Sequence, residues 1–279
     1  MRRPLLLLVH SLLFVLTVGS TAFLGGVWYC ISIMTILLAH ELGHFFVSRY
    51  YGVRSSLPFF IPFPNLFGTL GAIILMRGRI RSRRALFDIG AAGPLAGFCL
   101  AVPAVIIGLT YSKVISVDRL EGLSFSLGDS LLLSLLERVI IGEIPAGTDI
   151  VLHPLAFAGW VGLFVTALNL MPIGQLDGGH IAYAVFGRKS RILFVIAAVG
   201  FGVLGIFFFW AWLIPLALIL IFGFRHPPPS DDETELDDGR KLLAGGTLIV
   251  IVLSFVPVPL PDFGMNLATL IGRAILGGS

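Results

Sequence analysis

His40, Glu41 and His44 fall in the order His-Glu-Leu-Gly-His. On a helix, residues i and i+4 share a face, so both imidazoles can reach one metal ion. The glutamate beside them can then take a proton from water held at that ion. These residues lie inside a long apolar stretch, where ionisable side chains cost several kcal/mol unless something compensates them. A structural polar cluster between helices is the alternative. Two imidazoles also leave a catalytic zinc site one protein ligand short. Asp177 is the best candidate for the third place. It lies in Asn169-Leu-Met-Pro172-Ile-Gly-Gln-Leu-Asp177-Gly178-Gly179-His180, at the end of a later apolar block. Pro172 and the glycines break a helix there and let Asp177 turn inward. A helix cap or a solvated turn residue is the other reading of that aspartate. Asn169 can donate a hydrogen bond to a substrate carbonyl or oxyanion, or bond to a neighbouring helix. His180 is a spare ligand or an ordinary turn histidine.

The elements that must position these residues are membrane spans. Of the 279 residues, 57% are hydrophobic and only 13% are charged, against about 25% charged in a soluble domain. The apolar residues come in long blocks. Leu5 to Gly26 is the first, with a signal peptide as its alternative reading. Val27 to Tyr50 is the second and holds the His-Glu-x-x-His stretch. Residues 52–84 read as a proline-rich loop followed by one or two short strands with a turn near Gly78. Leu86 to Thr110 is the third span. Residues 111–150 form a mixed polar loop with an amphipathic helix near Asp129 to Ile141, and Val151 to Met171 is the fourth span. Ile192 to Phe224 carries no charge. It is too long for one upright span, so two short spans breaking near Trp210 are expected. An acidic, proline-rich connector, His226 to Lys241, precedes a last span from Leu242 to Val256.

The expected fold is therefore an all-α polytopic membrane protein. It has about six to seven transmembrane helices and a short membrane-associated β segment. Residues 1–279 read as one integral membrane domain, with a core at 27–187 and C-terminal accessory helices at 191–279. Cys30 and Cys99 form no metal-binding or disulfide pattern and read as core residues.

Orientation follows from charge. With the first residue cytoplasmic and every block crossing, 15 of the 19 lysines and arginines lie inside. The second span then ends on the same side as the turn holding Asp177. At 1.5 Å per residue, His44 lies about 7–8 Å and His40 about 13–14 Å inside the second span's end near Arg49. The arginines at 77–84 read as an anchor near anionic lipid, with substrate docking as the alternative. Gly90, Gly93, Pro94 and Gly97 permit close helix packing or line a substrate path.

These residues resemble the site-2 protease family. His-Glu-x-x-His in one span and Asn-x-x-Pro-x-x-x-x-Asp-Gly in a later one, here residues 169–178, form that family's paired signature. Phe67-Gly-Thr-Leu-Gly-Ala72, the run from Leu86 to Gly97 and His226-Pro-Pro-Pro are similar to bacterial, archaeal and plastid members. The likeness covers roughly 38–243; the PDZ and CBS domains that many relatives carry find no counterpart. The resemblance implies that His40, His44 and Asp177 bind one zinc ion, that Glu41 is the general base, and that Asn169 contacts substrate.

The implied activity is a zinc metalloendopeptidase performing intramembrane proteolysis: hydrolysis of a peptide bond within or near a transmembrane segment of a membrane protein substrate. A helical substrate must unwind to expose its carbonyls. Thr69 to Met76 can satisfy the exposed backbone by strand addition, or stand as a plain cytoplasmic hairpin. A metal-ion or solute transporter is the competing reading, though it has no internal repeat and gives Glu41 no task. A catalytically dead scaffold is a further alternative, against which the intact His40, Glu41, His44 and Asp177 argue. A serine protease lacks its nucleophile motif here. The expected partners are transmembrane substrates and the lipid bilayer, with no nucleic acid. The expected location is a prokaryotic plasma membrane, the active site toward the cytoplasm, because no transit-like N-terminal stretch stands out.

Overall fold

Residues 3–116, 126–174, 176–222 and 227–263 are described by the computed structural model. The described residues are mostly helical, with three short antiparallel strand pairs among them. Among the described residues, three helical stretches are long and apolar enough to cross a membrane: Leu5–Tyr50, Arg83–Thr110 and Asp177–Phe207.

Helix α1 covers Arg3–Tyr50, 48 residues. Straight, it would run about 70 Å, more than twice the roughly 30 Å of a bilayer's hydrocarbon core. Gly26 breaks it, with φ 73° and ψ −175°, a conformation open to a residue without a Cβ. The Thr21 hydroxyl donates to Cys30 Sγ at 3.2 Å, and the Cys30 thiol donates to the Val18 carbonyl at 3.5 Å. On a straight helix residues 12 apart would lie about 18 Å from each other. The two limbs of α1 therefore fold back as a hairpin, with the bend between the two blocks read from the sequence. Leu8, Val15, Phe23, Val27 and Ile31 stay exposed along it. Apolar side chains exposed along its length suit a helix that crosses a membrane.

Four short strands follow. β1 (Arg54–Ser55) pairs with β4 (Met76–Arg77), and β2 (Phe59–Pro62) pairs with β3 (Thr69–Ile73). The expected loop thus contains a strand, and the reversal lies at 63–68 rather than near Gly78. There the Asn65 side chain accepts from the Phe67 N–H at 3.0 Å, and Gly68 has φ 73°. The prolines concealed β2, since proline cannot donate to a ladder. Pro62 is accommodated where the register shifts between Phe60 and Pro62. Gly78 does have a positive φ, 102°, but it stands just after β4. The β2–β3 hairpin lies against the apolar helix. Ser20 donates to the Gly68 carbonyl at 2.6 Å, Tyr29 to the Phe67 carbonyl at 2.8 Å, and the Phe14 ring meets Phe60 edge-on.

Helix α2 spans Arg83–Thr110, opened by the Ser82 side chain accepting from the Ala85 N–H. β5 (Lys113–Ser116) pairs with β6 (Thr148–Val151), and α3 (Leu131–Ile140) is the amphipathic helix expected between them. The strand pair was not anticipated, and the loop's residues 117–125 lie outside the described ones. Because β6 takes Val151, the fourth apolar block forms α4 only from Pro154 to Leu170. Proline in its first turn and a His153 side chain accepting from the Leu155 N–H set that start. Helices α5 (Asp177–Phe186), α6 (Ser190–Phe207) and α7 (Leu213–Phe222) follow, with Trp210 in the short turn between α6 and α7. The break expected near Trp210 is present. His226 of the connector, Arg273 and the rest of 264–279 lie outside the described residues. Helix α8 is Asp238–Ser254, capped by Asp237.

The core lies among α1, α2 and α4. Tyr29, Ile33 and Leu37 meet Ala101 and Val105 and, across the bundle, Trp160 and Leu163. The helices approach closely because of glycine: a Cβ on Gly108 would stand 2.1 Å from the Ala156 nitrogen.

Candidate metal centre

The second limb of α1 puts His40 and His44 one turn apart, and their rings converge. His40 Nε2 lies 3.1 Å from His44 Nε2, and each lies 3.3 Å from Asp177 Oδ2. Among the described residues, these three are the ones whose donor atoms cluster within 4.8 Å. Four-coordinate zinc with bonds of about 2.0–2.1 Å sets its ligand atoms about 3.3 Å apart. The triangle of two imidazole nitrogens and one carboxylate oxygen therefore fits such an ion and leaves a fourth position open. His40, Glu41 and His44 are each only 5% exposed. The Asp177 side chain is 16% exposed.

Asp177 reaches this point by a different route from the expected one. It is not in an irregular turn but in the first turn of α5. After α4 ends, residues 171–176 reverse the chain, with Gly174 at φ 43°; Gln175 of that turn lies outside the described residues. Gly178 then packs on the end of α4, where a Cβ would meet the Leu170 carbonyl at 1.8 Å. This contact seats the start of α5 against the end of α4, from where Asp177 reaches the two histidines. His180 also belongs to α5. It is buried against Gly90 and takes no place in the three-residue cluster.

Helix α2 supplies the floor. The Ile89 carbonyl lies 2.7 Å from His44 Nδ1. With the proton on Nδ1, that bond leaves the Nε2 lone pair facing the cluster, the usual way a backbone group orients a metal-binding imidazole. Gly93 lets α2 approach: a Cβ there would fall 2.0 Å from His44 Nε2. A Cβ on Gly97 would lie 3.3 Å from His40 Nδ1, and one on Gly43 2.5 Å from the Ala92 carbonyl. The small residues of α2 are thus a packing face for the imidazoles.

Two further groups complete the site. Asn169 Nδ2 lies 3.3 Å from His40 Nε2, so the amide borders the cluster. The Glu41 carboxylate faces the backbone N–H of Ile74, just past β3. Sequence reasoning missed the Ile89 carbonyl and the Ile74 N–H, which are backbone groups with no side-chain signature. It read the glycines around Asp177 as helix breakers, whereas Gly178 is a packing contact.

The fold and the site define an integral membrane protein with a two-histidine, one-carboxylate centre inside a helical bundle. The chain belongs to peptidase family M50, the site-2 protease family, whose pattern matches residues 28–212. It is 37% identical over 235 residues to "Probable zinc metalloprotease EGY1, chloroplastic" of Arabidopsis thaliana, covering 81% of this chain and 42% of that protein. It is 34% identical over 248 residues to the Oryza sativa protein of the same name, covering 85% and 42%. It is 32% identical over 246 residues to "Probable zinc metalloprotease EGY2, chloroplastic" of Arabidopsis thaliana, again covering 85% and 42%. The chain thus spans about two-fifths of the length of these relatives. Their names do not favour the transporter reading. They are chloroplastic, so the expectation of a prokaryotic plasma membrane finds no support in them.

Proposed function

We propose that this protein is an intramembrane zinc metalloprotease that hydrolyses peptide bonds in or near transmembrane segments of membrane protein substrates. The observation that carries it is the convergence of His40 Nε2, His44 Nε2 and Asp177 Oδ2 to within 3.3 Å of one another beside a buried Glu41. His40, His44 and Asp177 would hold one zinc ion. When bound, zinc supplies Lewis-acid polarisation of a carbonyl and makes water more acidic. Glu41 accepts the proton of the attacking water and passes it to the leaving amine. Asn169 donates its amide N–H to the oxygen that gains charge as the carbonyl becomes tetrahedral.

β3 supplies the substrate surface in this reading. Among the described residues it pairs only with β2, so its other edge is available to an extended segment. Leu70 and Ile73 are exposed along it. The strand leads directly to Ile74, whose N–H faces Glu41, so a peptide added there would pass the base. Proline at Ile73 should then impair cleavage while zinc stays bound.

The shorter apolar helices α4 and α7, together with α8, bring the proposed number of spans to six or seven. The excess of arginine on one side supports a site toward the cytoplasmic face of its membrane. Purified protein is tested on a panel of single-span membrane substrates, wild type beside Glu41→Gln, with zinc measured in both. Cleavage lost with zinc retained supports the reading. Equal cleavage by the two proteins removes Glu41 from its role.

A further inference from the structure

Three helices converge on the metal centre: α1 through the histidines, α5 through Asp177, and α2 through the Ile89 carbonyl. One segment outside residues 28–212 touches α2, α5 and the residue that follows α1. Ser230 N–H donates to the Ile80 carbonyl at 3.0 Å and Asp231 N–H to the Arg81 carbonyl at 2.8 Å, so the acidic connector lies along the approach to α2. Tyr183 of α5 donates its hydroxyl to Asp232 Oδ2 at 3.0 Å. Arg240, in the first turn of α8, makes the most specific contact. Its Nε donates to Asp88 Oδ1 at 2.8 Å and its Nη2 to Asp88 Oδ2 at 2.6 Å. Nη2 also lies 3.3 Å from the Tyr51 hydroxyl, and that hydroxyl donates in turn to Asp88 Oδ2. Nη1 pairs with Asp237.

We propose that Arg240 is a positioning residue for the metal centre. It clamps Asp88 of α2 and Tyr51, the residue after α1, and so holds the Ile89 carbonyl on His44. The inference rests on the zinc reading of the site. Asp88 is the residue before Ile89. Tyr51 lies two helical turns beyond His44. The clamp is therefore the outer rung, and the bond from His44 to Ile89 the inner rung, of one contact between α1 and α2. Tolerance at the inner rung is small, because Gly93 already lies against the same imidazole. A small slide of α2 either opens the bond from Nδ1 or drives backbone into the ring. The clamp is built for such a task. Arginine meets the carboxylate with two parallel bonds, which fix direction as well as distance. The pair is 28% and 22% exposed, shielded well beyond an ordinary surface pair. Asp88 is also the single acidic residue of α2, and at a membrane boundary such a group pairs.

The test uses the full chain in detergent. Zinc affinity is read by competition with a chelator, and thermal stability of the zinc-free protein is read beside it. Arg240→Ala should weaken zinc about tenfold, the lower end for loss of an outer-sphere partner. Arg240→Lys keeps the charge but not the two-point contact, and should weaken it several-fold. The exchanged pair Asp88→Arg with Arg240→Asp should recover affinity. Arg84→Ala, which removes another contact to the connector at the Glu235 carbonyl, should leave affinity unchanged. Wild-type affinity in Arg240→Ala and Arg240→Lys, even with lowered thermal stability, overturns the proposal. If Arg240→Ala does not fold, Arg240→Lys decides alone. Absence of zinc from folded wild type is a separate result, and it removes the zinc reading on which the proposal stands.

Discussion

Both ends of the α1–α2–α4 bundle gather carboxylates, but they gather them differently. At one end Asp177 meets two imidazoles at 3.3 Å, behind glycines that admit no side chain. At the other, Asp129, Glu137 and Asp149 line a cavity of about 410 Å³ under the α1 bend, with Leu24, Ile150 and Phe157 among its walls. These three repel one another and make no three-atom cluster. Burial, then Asp129 and Asp149, push the Glu137 carboxyl up to about 7. The difference teaches that the number of acidic groups does not make a metal centre. Convergence of neutral nitrogen and carboxylate oxygen on one point does, together with backbone packed closely enough to hold it.

Removing one carboxylate from each end is the strongest way to break this comparison. Asp177→Asn should weaken zinc by more than the roughly hundredfold reached on loss of an outer-sphere partner. Asp149→Asn should leave zinc affinity unchanged in the same chelator competition. An equal loss in both would mean that the distal acids share in binding the ion.

Adding one methyl group is the next test. In Gly93→Ala the new Cβ meets His44 Nε2 at 2.0 Å, so the ring must leave its place, and zinc binding and cleavage should fall together by about the same hundredfold. Gly147 has φ 80° with open space around it, so Gly147→Ala should cost only about 1–2 kcal/mol of backbone strain and leave cleavage intact. Asn169→Ala should keep zinc and slow cleavage about a hundredfold, the scale for one lost oxyanion donor. A rise in KM alone, with kcat unchanged, would instead make Asn169 a ground-state contact.

The smallest effect belongs to the distal cavity. A carboxyl whose folded pKa exceeds its unfolded value stabilises the fold in its protonated form. Its contribution is full below about 4.3, the ordinary glutamate value. It fades as pH rises toward about 7. Zinc-free protein should therefore melt a little higher at pH 5 than at pH 7.5, and Glu137→Gln should shrink that difference. An unchanged difference would remove Glu137 as its source.

The site was legible in the sequence to the extent that it rests on local periodicity. His40 and His44 share a helical face by spacing alone, and the break after Asn169 follows from Pro172. The two short helices around Trp210 followed from the length of an uncharged run. What escaped notice depends on contacts distant in sequence or on backbone atoms. β2 was hidden because its proline fits only at a register shift. β5 and β6 were hidden because about thirty residues separate them and neither alternates strongly. The placement of Asp177 in a helix rather than a turn depends on Gly178 packing against the Leu170 carbonyl. No local propensity encodes that contact.

The central claim is that His40, His44 and Asp177 form one zinc site. X-ray absorption at the zinc edge of the purified, zinc-loaded chain tests it most directly. The account predicts one zinc per chain, with imidazole nitrogen and carboxylate oxygen at about 2.0–2.1 Å, and a loss of the imidazole scattering in His40→Ala with His44→Ala. Sulfur at about 2.3 Å, which would implicate Cys30 or Cys99, or an unchanged spectrum in that double variant, would contradict it.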